Sequence, residues 1–209
     1  MNKIKVKEEV INIENDSNKQ IEVVSDCDTK TIYNVGKNSL LVVYQYGINI
    51  NNIVEVNLNG ENAKVEFHYN MINYDSNTYQ ITVNHNYPHT ESNIYNHGLN
   101  VFDHSLKFDI NGIVEKESES CICNQENQII NLADGRSTIL PNLLIDNYDV
   151  VSSHSAFIGK FQEELLFYLM SRGLSRKVSY DLLIKGFLLS SDNSNSNLLK
   201  PFIKQIEKI

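Results

Sequence analysis

Histidine occurs once in the last hundred residues, at His154 in the segment DNYDVVSSHSAFIGKF. A neutral imidazole can bind iron through one ring nitrogen while a neighbour orients the other. The segment stands where a strand-like region ends and a helical pattern begins. His154 is therefore a candidate metal ligand, and the alternative interpretation is a hydrogen-bonded histidine in a turn.

The three cysteines offer the next candidates. Cys121 and Cys123 stand in ESCICNQ, and residues i and i+2 of a strand point to the same face, so both sulfurs could meet one metal ion. Two ligands make half a site, however, and buried free cysteines behave as small apolar residues, which favours core packing. No role is indicated for Cys27. In a cytosolic protein all three are expected to be reduced thiols.

Four histidines, His85, His89, His97 and His104, fall within twenty residues. The spacing of His85 and His89 would suit a metal pair on a helix, but Pro88 and the alternating pattern indicate strand and turn. The simplest interpretation is solvated turn histidines, although stacked strands could bring two of them together.

Composition excludes several functions. The net charge is −8, and residues 1–159 hold 10 Lys and Arg against 21 Asp and Glu, which argues against nucleic-acid binding. The sequence contains neither a phosphate-binding Gly-x4-Gly-Lys-Ser/Thr motif nor the Gly-x-Ser-x-Gly and His-Glu-x2-His motifs of hydrolases. No signal peptide and no membrane-spanning stretch are visible, so we expect a cytoplasmic protein.

The elements that must position these residues change character along the chain. From residue 3 to 153 short alternating segments recur every 10–13 residues, separated by Asn, Asp, Ser and Gly, which permits a sandwich, a barrel or a β-solenoid. Hairpin signals of the Asn-Gly type are few, and rows of Asn, Ser and Asp favour stacked parallel strands. The predicted strands are IKVKEEVINI, QIEVVS, SLLVVYQY, NIVEVNL, AKVEFHYNM, TYQITVNH, SNIYNH, SLKFDINGIV and SESCICN.

The last fifty residues have a helical period. Helices are predicted over 162–171, 176–189 and from 197 onward, with Gly173 ending the first and Ser175 capping the second. The polar stretch SSDNSNSN is predicted to be a loop. The side chains expected to face inward are Leu165, Leu166, Leu169 and Met170, then Val178, Leu182, Leu183, Ile184 and Phe187, then Leu198, Leu199, Phe202, Ile203 and Ile206.

The segment 127–187 resembles the C-terminal core of the SufB/SufD family of iron–sulfur cluster assembly proteins. Its strings PNLLI, DVVSSHSAFIG and LFYLMSRGLS follow the family pattern, and VNHNYPHTESN and DHSLKFDINGIV match further upstream. The residues in register are His85, Ser92, Ser105, Phe108, Asn111, Pro141, Leu143, Ile145, Asp149, Val150, Ser153, His154, Ala156, Gly159, Phe167, Tyr168, Leu169, Ser171, Arg172, Gly173, Leu174, Ser175 and Phe187.

The resemblance implies a right-handed parallel β-helix over residues 1–160, followed by a helical domain over 161–209. It implies that a SufB-like subunit, or a second copy of this chain, pairs through the β-helix, and that a SufC-like ABC ATPase docks on the C-terminal helices. The exposed aromatic candidates suit a helix-in-groove contact. The residues expected at the docking surface are Phe167, Tyr168, Arg172, Gly173, Leu174 and Ser175.

Three departures place the chain closer to the SufD branch. No N-terminal helical region is visible, Glu126 stands near the position of the cysteine of the SufB branch, and Ser155 replaces the glutamate that follows the motif histidine there. His154 matches the functional histidine of the SufD branch.

Two functions are compatible with these residues. The first is a non-catalytic scaffold subunit with no tightly bound cofactor of its own, in which His154 is a ligand to a transient iron–sulfur cluster at a subunit interface. The second is a self-sufficient homodimeric cluster-binding protein that uses His154 with Cys121 and Cys123, and His85 ranks as a further candidate ligand. A third interpretation keeps the fold and reduces the function to assembly support.

Overall fold

A computed structural model describes residues 7–190 and 197–209 of the protein. The start of the first predicted strand and most of the predicted loop SSDNSNSN lie outside these residues. The strands are β1 Lys7–Ile13, β2 Asn18–Ser25, β3 Thr29–Val35, β4 Leu40–Ile48, β5 Asn52–Leu58, β6 Lys64–Asn73, β7 Asn77–His85, β8 Glu91–Asn100, β9 Ser105–Val114, β10 Cys121–Asn131, β11 Arg136–Ile145 and β12 Val150–Gly159. The helices are α1 Glu163–Ser171, α2 Arg176–Leu188 and α3 Lys200–Ile206, and a 3₁₀ turn, Asn197–Leu199, precedes α3.

The strands form a parallel β-solenoid, which confirms the fold class. Odd-numbered strands make one six-stranded sheet in the order β1-β3-β5-β7-β9-β11, and even-numbered strands make the other in the order β12-β10-β8-β6-β4-β2. Each turn of the solenoid contributes one strand to each sheet, and every recorded strand pair is parallel. The inward side chains of the two sheets fill the space between them.

One corner of each turn explains the many Asn and Asp residues. Five residues have positive φ angles, between 52° and 60°, and each stands just before an even-numbered strand: Asp16, Asn38, Asn62, His89 and Ser120. Asn and Asp tolerate this left-handed conformation better than most residues. The amide of Asn38 also donates to Asp16 at 2.9 Å, and that of Asn62 donates to Asn38 at 3.0 Å. The corners of successive turns are therefore stacked and joined by side-chain hydrogen bonds.

The predicted polar rows form a ladder on the outer face of the odd-numbered sheet. Asn34 donates to Asn12 at 2.9 Å, Asn57 to Asn34 at 3.2 Å, and Asn84 to Asn57 at 2.8 Å. Parallel register places identical side chains one strand apart, so each amide can donate upward and accept from below. The ladder helps to set the register of the solenoid.

The solenoid core is apolar with an aromatic centre. Tyr69 and Tyr79 stack across the interior with ring centroids 3.7 Å apart, and Phe108 meets both rings edge to face. A second core lies between the outer face of the even-numbered sheet and the helices, where Tyr46 contacts Phe202 with centroids 5.1 Å apart. Side-chain packing on this face therefore attaches the helices to the solenoid.

The helices end where the sequence predicts, but part of their predicted inward face is exposed. Gly173 has φ +91° at the end of α1, and the Ser175 side chain accepts a hydrogen bond from the backbone N–H of Val178 at 3.3 Å. The prediction that Leu165, Met170, Val178, Leu182 and Leu198 face inward is wrong, because all five are exposed. Only a narrow stripe of each helix contacts another element. The buried residues are Leu166, Ser179, Ile184, Leu188, Leu199, Phe202 and Ile206.

Across the described ranges, which omit 1–6 and 191–196, none of the helices has the length and apolar character needed to cross a membrane.

Candidate functional site

Both sheets end in an edge strand at the same end of the solenoid. β11 is the last strand of the odd-numbered sheet and β12 is the last of the even-numbered sheet, so each has a sheet neighbour on one side only. Edge strands carry backbone N–H and C=O groups that can pair with a strand of another chain. We call β11 and β12 together the open end.

His154 lies in the middle of β12, facing the interior of the last turn. It is in register with Gln125 of β10, whose side chain is buried. The imidazole itself is exposed, because β12 is the terminal strand of its sheet. His154 is thus accessible to a ligand or to a second protein.

Exposed apolar side chains lie on and beside the two strands of the open end. Large apolar side chains beside an unpaired strand edge are typical of a surface that another protein covers. The exposed members are Leu140, Leu144, Tyr148, Val151, Phe157 and Ile158.

The two cysteines of β10 are buried one strand below the open end. Cys121 and Cys123 are each 1% exposed and pack with Val114 against Leu143 and Val150. Burial also raises the pKa of the Cys123 thiol, which keeps it protonated at neutral pH. A buried, protonated thiol is a packing group rather than an available ligand, and this arrangement favours core packing.

His85 is not in a solvated turn but is fully buried at the end of β7. Its Nδ1 is 2.8 Å from Thr90 Oγ1 and its Nε2 is 2.9 Å from Ser92 Oγ. Thr90 Oγ1 is in turn 3.2 Å from the Cys121 sulfur. Burial lowers the pKa of His85 from 6.5 to about 4, so the ring is neutral. Both ring nitrogens have hydroxyl partners, which makes His85 a satisfied core residue.

The predicted metal candidates do not converge within one chain. Among residues 7–190 and 197–209, no group of three or more His, Cys, Asp or Glu side chains is arranged to hold a metal ion. Cys121 and His85 approach each other through Thr90, whereas His154 lies on the next strand, facing the opening. A cluster bound at His154 would need ligands from elsewhere.

The remaining histidines divide between turns and the sheet. His89 and His104 are exposed, as expected for turn residues. His97 is not: it lies on the outer face of β8, with its ring 4.7 Å from that of Phe187 in α2. Burial lowers its pKa.

Sequence reasoning missed His68. Its ring stacks between Tyr44 and Tyr95 at centroid distances of 4.8 and 4.9 Å, and its Nε2 is 2.7 Å from Glu66 Oε1. The three rings are adjacent because their strands are in register. Intervals of 24 and 27 residues hold no fixed repeat, so this stack could be found only once the register was known.

The helical part exposes an aromatic surface on α1. Phe167 is 75% exposed and Tyr168 is 55% exposed. The Arg172 guanidinium lies 5.2 Å from the centroid of the Tyr168 ring, a cation–π contact. A Cβ at Gly173 would meet no atom within 4 Å, so its positive φ rather than crowding requires glycine there. We call Phe167, Tyr168 and Arg172 the α1 surface.

A groove of about 620 Å³ lies between α2 and α3 on the same part of the molecule. Its floor is apolar, with Leu132, Ile184 and Ile206, and Arg176 and Lys177 are among its other lining residues. Asp181 and Glu207 line it as well, so charges of both signs border the apolar floor.

A family model described as SUF system FeS cluster assembly, SufBD core domain matches residues 7–187. The match therefore extends from β1 into α2, and includes the open end and the α1 surface.

Several curated proteins are similar over shorter segments. The iron-sulfur cluster assembly protein SufD of Bacillus subtilis (strain 168) is 34% identical over 100 residues, 47% of this chain and 23% of that protein. An iron-sulfur cluster assembly SufBD family protein of Pyrococcus horikoshii is 42% identical over 66 residues, 32% of this chain and 14% of that protein. One from Archaeoglobus fulgidus is 47% identical over 49 residues, 23% of this chain and 13% of that protein. The chain thus spans less than a quarter of the length of these relatives.

Proposed function

The chain belongs to the SufBD core family of the SUF system for iron–sulfur cluster assembly, and on that premise we propose that it is a non-catalytic scaffold subunit of a cluster assembly complex in the cytoplasm. The observation that carries the proposal is the extent of the family match, which includes both the open end and the α1 surface. The B. subtilis relative is named as a SufD assembly protein, which supports the SufD-like assignment.

The open end is the proposed pairing surface for a SufB-like subunit or a second copy of this chain. Two edge strands there can extend both sheets across an interface through backbone hydrogen bonds. The exposed apolar residues, Val151 and Phe157 among them, would be buried by such pairing. Burial of this apolar area supplies the main driving force for association.

The α1 surface is the proposed docking site for a SufC-like ABC ATPase. Exposed aromatic residues backed by an arginine are the side chains most often found to dominate binding energy at protein interfaces. Only Leu166 of α1 is buried, so most of the helix remains available for a partner. The neighbouring groove between α2 and α3 would add apolar contacts.

His154 is the proposed ligand to the cluster, which is the cargo of the complex rather than a resident cofactor. Imidazole nitrogen is a competent ligand for iron in clusters that otherwise use thiolates. Because Cys121 and Cys123 are buried, the thiolates would come from the partner subunit. The chain would therefore supply one ligand and the geometry of the interface.

Co-purification tests the scaffold function. The tagged chain is expressed with the SufB-like subunit and the SufC-like ATPase of the same genome, and affinities are measured with purified components. Phe167→Ala and Tyr168→Ala should each weaken ATPase binding by about tenfold or more. Tyr87→Ala is the matched control, because Tyr87 is an exposed tyrosine (47%) in a turn of the solenoid.

A second pair of variants tests the open end. Val151→Lys should abolish pairing, because a lysine on a strand edge opposes edge-to-edge association. Val10→Lys is the control, since Val10 is 61% exposed on β1, the edge strand at the opposite end, against 67% for Val151. Failure to bind either partner would reject the scaffold function. Stoichiometric iron and sulfide uptake by the chain alone, lost in His154→Ala, would instead support a self-sufficient cluster protein.

A further inference from the structure

Gln125 extends across the interior of the solenoid directly below the open end. It lies on β10, is 4% exposed, and donates from Nε2 to the backbone carbonyl of Asn142 on β11 at 3.2 Å. The space for this side chain comes from Gly112, where a Cβ would stand 3.2 Å from Gln125 Nε2. The carboxamide thus connects the two sheets beneath the last turn.

This contact determines which way the amide faces. A backbone carbonyl can only accept a hydrogen bond, so the NH₂ group must be the side facing Asn142. The oxygen, Oε1, then faces the other way, and within the described residues no donor reaches it. A buried carbonyl oxygen without a donor costs on the order of 1–3 kcal/mol, so this atom is poised to accept a hydrogen bond.

The side chain of His154 is a candidate donor to this oxygen. Gln125 and His154 are cross-strand partners on the inner face of the even-numbered sheet. Parallel neighbours lie about 4.8 Å apart at the backbone, so rotation of the exposed imidazole brings a ring nitrogen within reach of Oε1. The carboxamide is held by its hydrogen bond to the Asn142 carbonyl, whereas the imidazole on the terminal strand is exposed.

We propose that Gln125 is a positioning residue that fixes the tautomer of His154, by accepting a hydrogen bond from one ring N–H. The other ring nitrogen then carries the lone pair and points away from Gln125 toward the opening. Ligand histidines generally have their second ring nitrogen held in this way by a carbonyl, carboxylate or water. The use of the free nitrogen as a cluster ligand rests on the proposed function, whereas the hydrogen bond itself does not.

Nitrogen-15 NMR of the histidine side chains tests the proposal in the metal-free protein. At a pH where His154 is neutral, the spectrum reports which ring nitrogen bears the proton, and His154→Gln identifies the signals. We expect one protonated nitrogen with an N–H proton that is protected from exchange with water. In Gln125→Met, which has similar volume but no oxygen, the protection should be lost and both nitrogen shifts should move toward those of the unfolded chain.

Two further variants separate positioning from a general structural effect. Gln125→Glu should restore the protected N–H, because an oxygen still faces His154 in either charge state of the carboxyl group. Gln128→Met makes the same chemical change on the outer face of β10 and should leave the His154 signals unchanged. Circular dichroism confirms that each variant is folded.

The proposal is overturned if wild type and Gln125→Met show the same His154 tautomer and the same exchange. This outcome is independent of the proposed function, since neither iron nor a partner is present in the sample. Loss of partner binding with an intact His154 hydrogen bond would reject the scaffold function and leave the positioning role of Gln125 standing.

Discussion

Burial of His85 makes the stability of the solenoid depend on pH. The imidazole pKa falls from 6.5 to about 4 on folding, because the ring is removed from water between Thr90 and Ser92. The unfolded chain therefore binds a proton that the folded chain excludes. The stability associated with neutral His85 is fully present above pH 6.5 and is lost as the pH falls from 6.5 to 4.

The magnitude follows from the pKa difference. Each pH unit within this window costs about 1.4 kcal/mol, so His85 alone should lower the free energy of unfolding by about 2 kcal/mol between pH 7.5 and pH 5.0. The loss should approach about 3 kcal/mol below pH 4. Because other groups also titrate, the observable is the difference in pH dependence between wild type and a variant without an imidazole at this position.

Urea unfolding at pH 7.5 and 5.0, followed by circular dichroism, measures this difference. His85→Gln retains a donor and an acceptor for the Thr90 and Ser92 hydroxyls but does not titrate, so about 2 kcal/mol of the pH dependence should disappear. His104→Gln, the same substitution at an exposed histidine, provides the control. Equal pH dependence in wild type and His85→Gln would refute the inference that a neutral, buried imidazole is required.

Three further variants test the packing by urea unfolding. Gly112→Ala should destabilise the solenoid by about 1–3 kcal/mol, since its Cβ would stand 2.5 Å from the Cys123 sulfur, and Cys123→Ala added to it should recover part of the loss. Phe202→Ala should cost about 3 kcal/mol and expose α3 amides to hydrogen exchange, since Phe202 is fully buried against Tyr46. Ser175→Ala should cost about 1 kcal/mol, because the cap of α2 is lost.

Each of these results has an outcome that would contradict its reasoning. Additive effects of Gly112→Ala and Cys123→Ala would show that the two side chains do not compete for space. Unchanged exchange in α3 after Phe202→Ala would mean that other contacts hold the helix. If Ser175→Ala lowers the free energy of unfolding no more than Ser171→Ala does, at the other end of the turn, then the capping hydrogen bond has no special role in stabilising α2.

The positions of most strands and helices could be predicted from short stretches of sequence, because neighbouring residues largely determine them. Alternation of apolar and polar residues predicted most strands, and Gly173 and Ser175 predicted the turn between α1 and α2 through backbone conformation and capping. Besides β11 and β12 of the open end, the list of predicted strands omitted β3, Thr29–Val35, although its inward residues alternate regularly with half-buried ones. Short alternating segments carry little signal on their own, and stacking against neighbours on both sides is what makes this one a strand.

The burial of particular side chains could not be read in the same way. Val178 and Leu182 have the period of an inward face, yet only a narrow stripe of α2 meets the sheet. His85 looked like a turn residue, but it is buried, and its ring nitrogens have as partners the hydroxyls of Thr90, just before β8, and of Ser92 in β8. Both outcomes depend on which elements lie opposite, and the spacing of residues within one element does not contain that information.

Periodicity and turn residues predicted short strands followed by a helical end, and the long motif indicated the family. The choice of stacked parallel strands over a sandwich or a barrel rested on the polar rows and on that family resemblance. The neighbours of His154, in contrast, depend on how the turns of the solenoid pack on one another. The register of β10 and β12 puts Gln125 beneath it and leaves the edge of β12 open, while the same stacking buries Cys121 and Cys123. Register is a property of strands 29 residues apart in the chain, so packing between turns rather than local sequence fixes it.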